Sequence, residues 1–530
     1  MPEMPASCSR LLSGLGANPA LPSELLDELI AVADVEVCWD LAGRDDLSPS
    51  QVRALAARGD PGTVIRLVRR RVVTAAEVDP ADPQVALAVV DEGRAPESWI
   101  RSLSRHPDPV VRADLAAVAH LPVAVLRALA DDPVVAVVAE VAMAAGLPAD
   151  LAERLAEHPH LAVRRALATN PMAPAPLLTA VGTSGALPPA RCCRGCDGTD
   201  QPGPGADCRG DHEQALLDLR YALVANPATP PTTVVGWADA PAAWVRAALA
   251  ERADLPPQIY SELASDPVTF VRAAVAANPA IGEALIRAMA GDDTHDVRRS
   301  LANNPGLPLD VLAAIAPGTR FGSTLPPRIA AATTDELGQL AGSTVAELRM
   351  LVAGRPDLPL AVVHRLADDP DAKVLQALAP NPALTEQQLR TMVTRHGPRV
   401  LTQVAGNPTC GPGLLHDLAT HRPPVPKTYR IIAAHPNADA ATLLLCLDDH
   451  QARPIAAGHP ALPASTVTAL LGDANVRVAA AAAANPSLPH PAMDDLLAAC
   501  RLSPHRPRTP PDRAWPRGYD DQAATPDSGA

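Results

Sequence analysis

One phrase, stated twice and begun a third time between Arg252 and Pro308, constrains this chain more than any other feature. It reads RADLPPQIYSELASDPVTFVRAAVAA, then NPAIGEALIRAMAGDDTHDVRRSLAN, then NPGLP, a period of 26 residues. Pro256 sits where a helix would begin, a place that tolerates a missing N–H. Ile259, Tyr260 and Leu263 then share one face at helical spacing. Asp266-Pro267 predicts an N-cap followed by Pro at the first helical position. Val268, Val271 and Val275 form the stripe of a second short helix. Asn278-Pro279 ends it, because the residue before Pro is pushed out of the α region. Helices of two to three turns are marginal alone, but stacked neighbours bury a continuous core.

The phrase recurs almost from end to end. Unit starts fall at Asn18, Arg44, Arg70, Glu92, Val118, Ala144 and Asn170. After an interruption they resume at Asn226, Arg252, Asn278, Asn304, Ile329, Arg355, Asn381, Asn407, His435, His459 and Asn485, giving 18 units. A length of 530 residues would ordinarily suggest several domains; the repeat argues instead for one elongated all-α array. The expected organisation is a lead-in over 1–17, helical repeats over 18–180, an insertion over 181–212, repeats over 213–502 and a disordered tail over 503–530. Within 317–328 (PGTRFGSTLPPR) the Asp-Pro/Val-Arg half is missing, which predicts a loop or bend.

Composition narrows the function classes. Hydrophobic residues make up 47% and aromatics only 2%, so the core must be Leu, Val and Ala. The net charge of −14 argues against nucleic-acid binding, which needs basic surface to displace counterions. No apolar run is long enough to cross a membrane, and residues 1–17 lack the apolar centre of a signal peptide. The expectation is a soluble cytoplasmic protein without a membrane partner.

Two ladders follow from the register. Asn170, Asn226, Asn278, Asn304, Asn381, Asn407 and Asn485 occupy one position, read as helix-end caps that use their amides on backbone groups. Arg112, Arg164, Arg246, Arg272, Arg298 and Arg349 occupy another, with acids such as Asp266 at unit position 14. They read as an Asp–Arg ladder bridging adjacent layers, or as an exposed row that holds an acidic partner. His106, His158, His435 and His459 each precede Pro and replace Asp or Asn as caps. Paired carboxylates such as Asp131-Asp132, Asp292-Asp293 and Asp368-Asp369 are read as structural, suited to helix starts. Trp237 and Trp244 lie in one unit and are a candidate local hot spot.

The repeated LPxxLLxxLAxDPxxxVRxALAxNP phrase resembles the leucine-rich repeat variant (LRV) family, which belongs among armadillo/HEAT-like helical solenoids. The resemblance covers roughly 18–500 without the insertion. It implies alternating α- and 3₁₀-type helices in a right-handed superhelix. It also brings an association with a four-cysteine segment that binds a [4Fe-4S] cluster at the start of the array.

Here the cysteine-rich segment lies inside the array, in VGTSGALPPARCCRGCDGTDQPGPGADCRGDH. Cys192, Cys193, Cys196 and Cys208 are four of the nine cysteines, and the Gly/Pro-rich setting excludes another helix pair. Clustered thiols in a cytosolic chain suggest a metal more than a disulfide. Four thiolates suit an iron–sulfur cluster. Cys193-x2-Cys196 with Cys208-x3-His212 suits zinc. A surface insertion with incidental thiols and no metal stands beside both. Adjacent Cys192 and Cys193 point apart in most backbone conformations, which strains a cube that uses both.

No GxGxxG, P-loop, GxSxG or HExxH motif is present. The reading is a non-catalytic scaffold that binds a protein or peptide partner through the solenoid surface. The competing class is a redox or iron–sulfur protein in which the insertion is the working part. Under the metal hypothesis, anaerobically prepared protein carries iron and acid-labile sulfide in equal amounts, or one zinc per chain. Deleting 183–210 abolishes either signal while leaving the helical circular dichroism nearly intact. Protein from metal-replete, anaerobic preparation that carries neither metal refutes the hypothesis.

Overall fold

The computed structural model describes residues 6–58, 60–183, 212–322 and 324–501. Helices take up 63% of the chain, and there is no strand among the described residues. Each unit contributes a first and a second helix, as in Pro257–Leu263 followed by Thr269–Ala277. The alternation with 3₁₀ helices implied by the family resemblance is not observed. Most layers pair two α-helices, and 3₁₀ turns are confined to short pieces such as Ala75–Glu77 and Gly397–Arg399.

The first helices open as the phrase requires. Pro256 is the N-cap residue in extended conformation and Pro257 is the first helical residue. The second helices differ from expectation. Their N-cap is unit position 16, not 14. Where that position is Asp, as at Asp34, Asp60, Asp108 and Asp371, the carboxylate accepts a helix-start N–H. Asp266, at position 14, instead accepts the N–H of Val268, two residues on, at 2.8 Å. Its other oxygen is drawn to an arginine of the preceding layer.

Layers are stapled by the residue that ends each second helix. Asn304 Nδ2 donates to the carbonyls of Ala276 and Asn278 in the layer before, at 3.0 and 2.7 Å. Its Oδ1 accepts the Gly306 N–H at 2.8 Å. Asn170, Asn226, Asn278, Asn407 and Asn485 repeat this pattern. These side chains are buried, so they are inter-layer bridges and not only helix-end caps. Asn381 keeps the turn bond to Ala383, but its buried amide nitrogen has no protein acceptor. Arg44, Arg70, Arg252 and Arg355 reach equivalent carbonyls with their guanidinium groups. His435 and His459 do so through Nε2, at 3.0 and 3.1 Å.

The array does not end as an open stack. The unit that starts at Asn485 supplies a first helix, His490–Arg501, but no second helix of its own among the described residues. Helix Ala6–Ala17, within the stretch expected to be a lead-in, takes that place. It packs between Val476–Ala483 and Val35–Leu41, as any second helix packs between its neighbours. Asn18 then donates to the carbonyls of Ala483 and Asn485 at 3.0 and 2.7 Å. That is the same bridge Asn485 makes to Ala457 and His459. The elongated array is therefore a closed ring with one split unit. Gly14 shows how tight the joint is: a Cβ there would meet the Ala480 carbonyl oxygen at 2.3 Å. Glycine in a helix interior costs about 1 kcal/mol relative to Ala, and this approach is what requires it.

Second helices approach one another closely around the ring, whereas first helices are spread apart. In a closed ring the crowded row lies at the smaller radius, so second helices form the inner wall. The layer after Asn304 is the exception: Ala316–Gly318 and irregular chain stand where its second helix would be, as the 317–328 composition predicts.

The staple generates a sharp prediction. Asn304→Ala leaves two buried carbonyls without their donor and is expected to cost about 2 kcal/mol. Asn304→Asp is expected to cost more, because a carboxylate placed before two carbonyl oxygens can only repel them. Asn303→Ala, at an exposed neighbour, stays within about 0.5 kcal/mol of wild type. Denaturant unfolding of the three variants checks the order.

Candidate functional site: the inner wall

The arginine ladder occupies one edge of the second helices. Arg246 holds Asp266 through Nε and Nη2 at 2.6 and 3.0 Å. Arg112–Asp132, Arg272–Asp292 and Arg349–Asp369 repeat the contact across successive layers. The same arginines donate Nη1 to the carbonyl six residues upstream, as Arg272 does to Asp266 at 2.8 Å. Asp266 and Asp292 thus each give a carbonyl to their own layer and a carboxylate to the layer before.

Arg272 is only 18% exposed and Asp292 13%, so the row is a structural ladder. Hydrogen bonding from Arg246 holds the Asp266 carboxyl below the usual range, and Arg272 does the same for Asp292. Arg298 keeps the carbonyl bond to Asp292, but Gly318 stands where its acidic partner would be. Arg164 is buried within Leu161–Thr169. Arg453–Asp473 belongs to the same ladder. A forward count from His435 misses it, because that unit is short; counting six back from His459 finds it.

The paired carboxylates and the histidines resolve the same way. Asp132, Asp292 and Asp369 are ladder acids, while Asp131 and Asp368 pair with Arg154 and Arg395. His106 and His158 accept the N–H groups of Asp108 and His160 through Nδ1, standing in for Asp. Burial, followed by the charge of His160, pushes the His158 imidazole down to about 4, which keeps it neutral and able to accept.

One position on the inner wall varies freely. Eight residues back from the closing residue stand Val110, Ala136 and Ala162, then Asp218, then Trp244 and Phe270 on neighbouring layers, then Asp296, with Glu347, Lys373 and Arg477 further round. Phe270 is 52% exposed and Tyr221, on the layer before Trp244, is 45% exposed. Tyr221 and Trp244 rings lie 5.4 Å apart at a 58° tilt, a favourable edge-on arrangement. Trp237 does not join this strip; it lies under the Arg220 guanidinium at 5.8 Å. The two tryptophans expected to act together thus belong to different groupings. Phe270 went unremarked in the sequence, although it is one of only two phenylalanines in the chain.

Cys192, Cys193, Cys196 and Cys208 lie outside the described residues. His212 is the first residue of helix His212–Ala225, and the preceding helix runs to Thr183. Among the described residues no three His, Cys, Asp or Glu side chains converge as a metal site, and no helix is long and apolar enough to cross a membrane. A hollow lined by Arg299, Asn303 and Phe321 lies where the second helix is missing. No protein-family model matches the chain, and no curated protein matches it.

The ladder geometry predicts a pH-dependent contribution. Arg272→Ala strands a mostly buried carboxylate and is expected to cost about 2–3 kcal/mol at pH 7. The folded-state pKa of Asp292 lies below its unfolded value. Its stabilisation is therefore fully present above pH 4 and is lost as pH falls through the lowered value. The gap in Tm between wild type and Arg272→Ala should shrink between pH 5 and pH 2. An unchanged Tm at pH 7 would mean the ladder carries no load.

Proposed function

We propose that the ring is a non-catalytic scaffold that binds a protein or peptide partner on its second-helix wall. The observation that carries this reading is the row of Tyr221, Trp244 and Phe270 on three consecutive layers, with Tyr221 and Phe270 exposed and Trp244 half-buried against the Tyr221 ring. In a chain with 2% aromatic residues, leaving Tyr221 and Phe270 exposed on either side of the Trp244 layer is not something core packing asks for. Tyr and Trp are the residues that most often anchor interfaces. The rigid stapling of each layer to the next fixes their spacing, which lowers the ordering cost of binding. The likeness of the repeat phrase to LRV solenoids supports the same reading. The acidic charge argues against nucleic acid as the partner.

A photo-activatable phenylalanine analogue at position 270 tests it. In native cells it should give a discrete cross-linked adduct that the same analogue at Leu360 does not. Leu360 is similarly exposed, at 56%, but on a first helix. With the adduct identified, Trp244→Ala and Phe270→Ala should each weaken binding of that protein at least tenfold, by about 1.4 kcal/mol or more. Their helical signal should stay that of wild type, and Phe270→Ala, at an exposed site, should also leave the Tm unchanged. Equal adducts at both positions, or none at 270, overturn the proposal.

A further inference from the structure

The seam of the ring carries a feature that no other layer has. In an intact unit a short covalent connection joins the first helix to the second, as between Leu263 and Thr269. In the split unit the first helix is His490–Arg501 and the second is Ala6–Ala17, so no peptide connection joins them. Near the end of the first sits Cys500; near the start of the second sits Cys8. The register places them side by side. Cys500 stands 15 residues after Asn485, as Pro267 stands 15 after Arg252, and Cys8 stands 10 before Asn18, as Val268 stands 10 before Asn278. The structure agrees: the two helices pack together, and Cys8 lies against the core that contains Cys500.

We propose that Cys8 and Cys500 form a reversible disulfide that replaces the missing connection and covalently closes the ring. The other described cysteines, Cys38, Cys410 and Cys446, are buried within intact layers. The reaction needs a two-electron oxidant, for which a small-molecule disulfide such as oxidised glutathione suffices. The Cys8 thiolate, on the half-buried residue, attacks one glutathione sulfur and releases a glutathione thiolate. Cys500 then gives its proton to solvent and attacks the Cys8 sulfur, releasing the second glutathione. Two protein thiols lose two electrons and two protons; the glutathione disulfide becomes two thiols. Burial, and then the adjacent Cys8, push the Cys500 thiol up to about 12, so closure should speed up as pH rises.

The test uses the full chain. Incubation with oxidised glutathione should yield a peptide containing residue 8 joined to one containing residue 500, two hydrogens lighter than their sum. The closed chain should run faster on a non-reducing gel, and dithiothreitol should reverse both effects. Cys8→Ser and Cys500→Ser should each abolish the species. A short bismaleimide provides the second arm. If it joins residues 8 and 500 while glutathione leaves them free or singly capped, the thiols meet but do not form the disulfide, and the proposal fails. If neither reagent joins them, the seam is not closed and the proposal falls with it. Either failure leaves the partner-binding reading of the wall untouched, because that reading does not use the seam.

Discussion

Most layers of this ring depend on a closing side chain that carries backbone hydrogen bonds from one unit to the next; Val118, Ala144 and Ile329 are the apolar exceptions. A short second helix leaves its last carbonyls without intrahelical donors. In a stack those carbonyls face the following layer, away from water, where an unpaired polar group is costly. The closing Asn answers with two donors and one acceptor, all used: two carbonyls behind it and one N–H ahead. Its geometry fixes the offset between layers, so the repeat period and the rise of the stack are set by the same residue.

Arginine solves the same problem differently. In the layers of Arg44, Arg252 and Arg355 the guanidinium reaches the carbonyls behind it, and its remaining N–H groups take the carboxylate two residues on, Asp46, Asp254 or Asp357. The Asp stands where the Asn layers use a backbone N–H. A charge placed this deep needs a partner; at Arg70, where Val72 stands two residues on, Asp45 supplies it instead. Hydrogen bonding from Arg44 and Arg355 accordingly holds Asp46 and Asp357 below the usual carboxylate range.

Closure follows from the same bond. An open solenoid exposes an apolar face at each end and needs special capping units. Here Asn18 makes to Ala483 and Asn485 the bridge that Asn485 makes to Ala457 and His459, so neither face is left. The repeat period, the unit starts and the inter-layer arginine ladder were all legible in the sequence, because each is a local pattern with a fixed spacing. Closure was not. It depends on a small rotation per layer summed around the ring, and no single repeat records that sum. The one local clue was the count itself: Asn485 opens a unit with a first helix only, and Asn18 closes a second helix that has no first. The assignment of Asp266 as an N-cap failed for a related reason. Asp-Pro is a strong local signal, and the competing partner, Arg246, lies in another layer.

The wall and the seam divide the labour of the structure. Packing in a tandem ring asks the same thing of every layer, so buried positions repeat: Leu, Val and Ala inside, Asn, Arg or His at the staple. A position free to differ is one that packing does not read. The residue eight before the staple is such a position: it is Val110, Trp244 or Phe270 in some layers and Asp218, Asp296, Glu347, Lys373 or Arg477 in others. Solubility alone would favour charge at every exposed site, and core packing makes no demand there. The aromatic arc of Tyr221, Trp244 and Phe270 goes against that preference at its two exposed members, Tyr221 and Phe270, which the proposed partner site would explain. The ring supplies the complementary property. By tying the last layer to the first it removes the fraying ends from which local unfolding would spread, so that the arc keeps its shape without a partner in place.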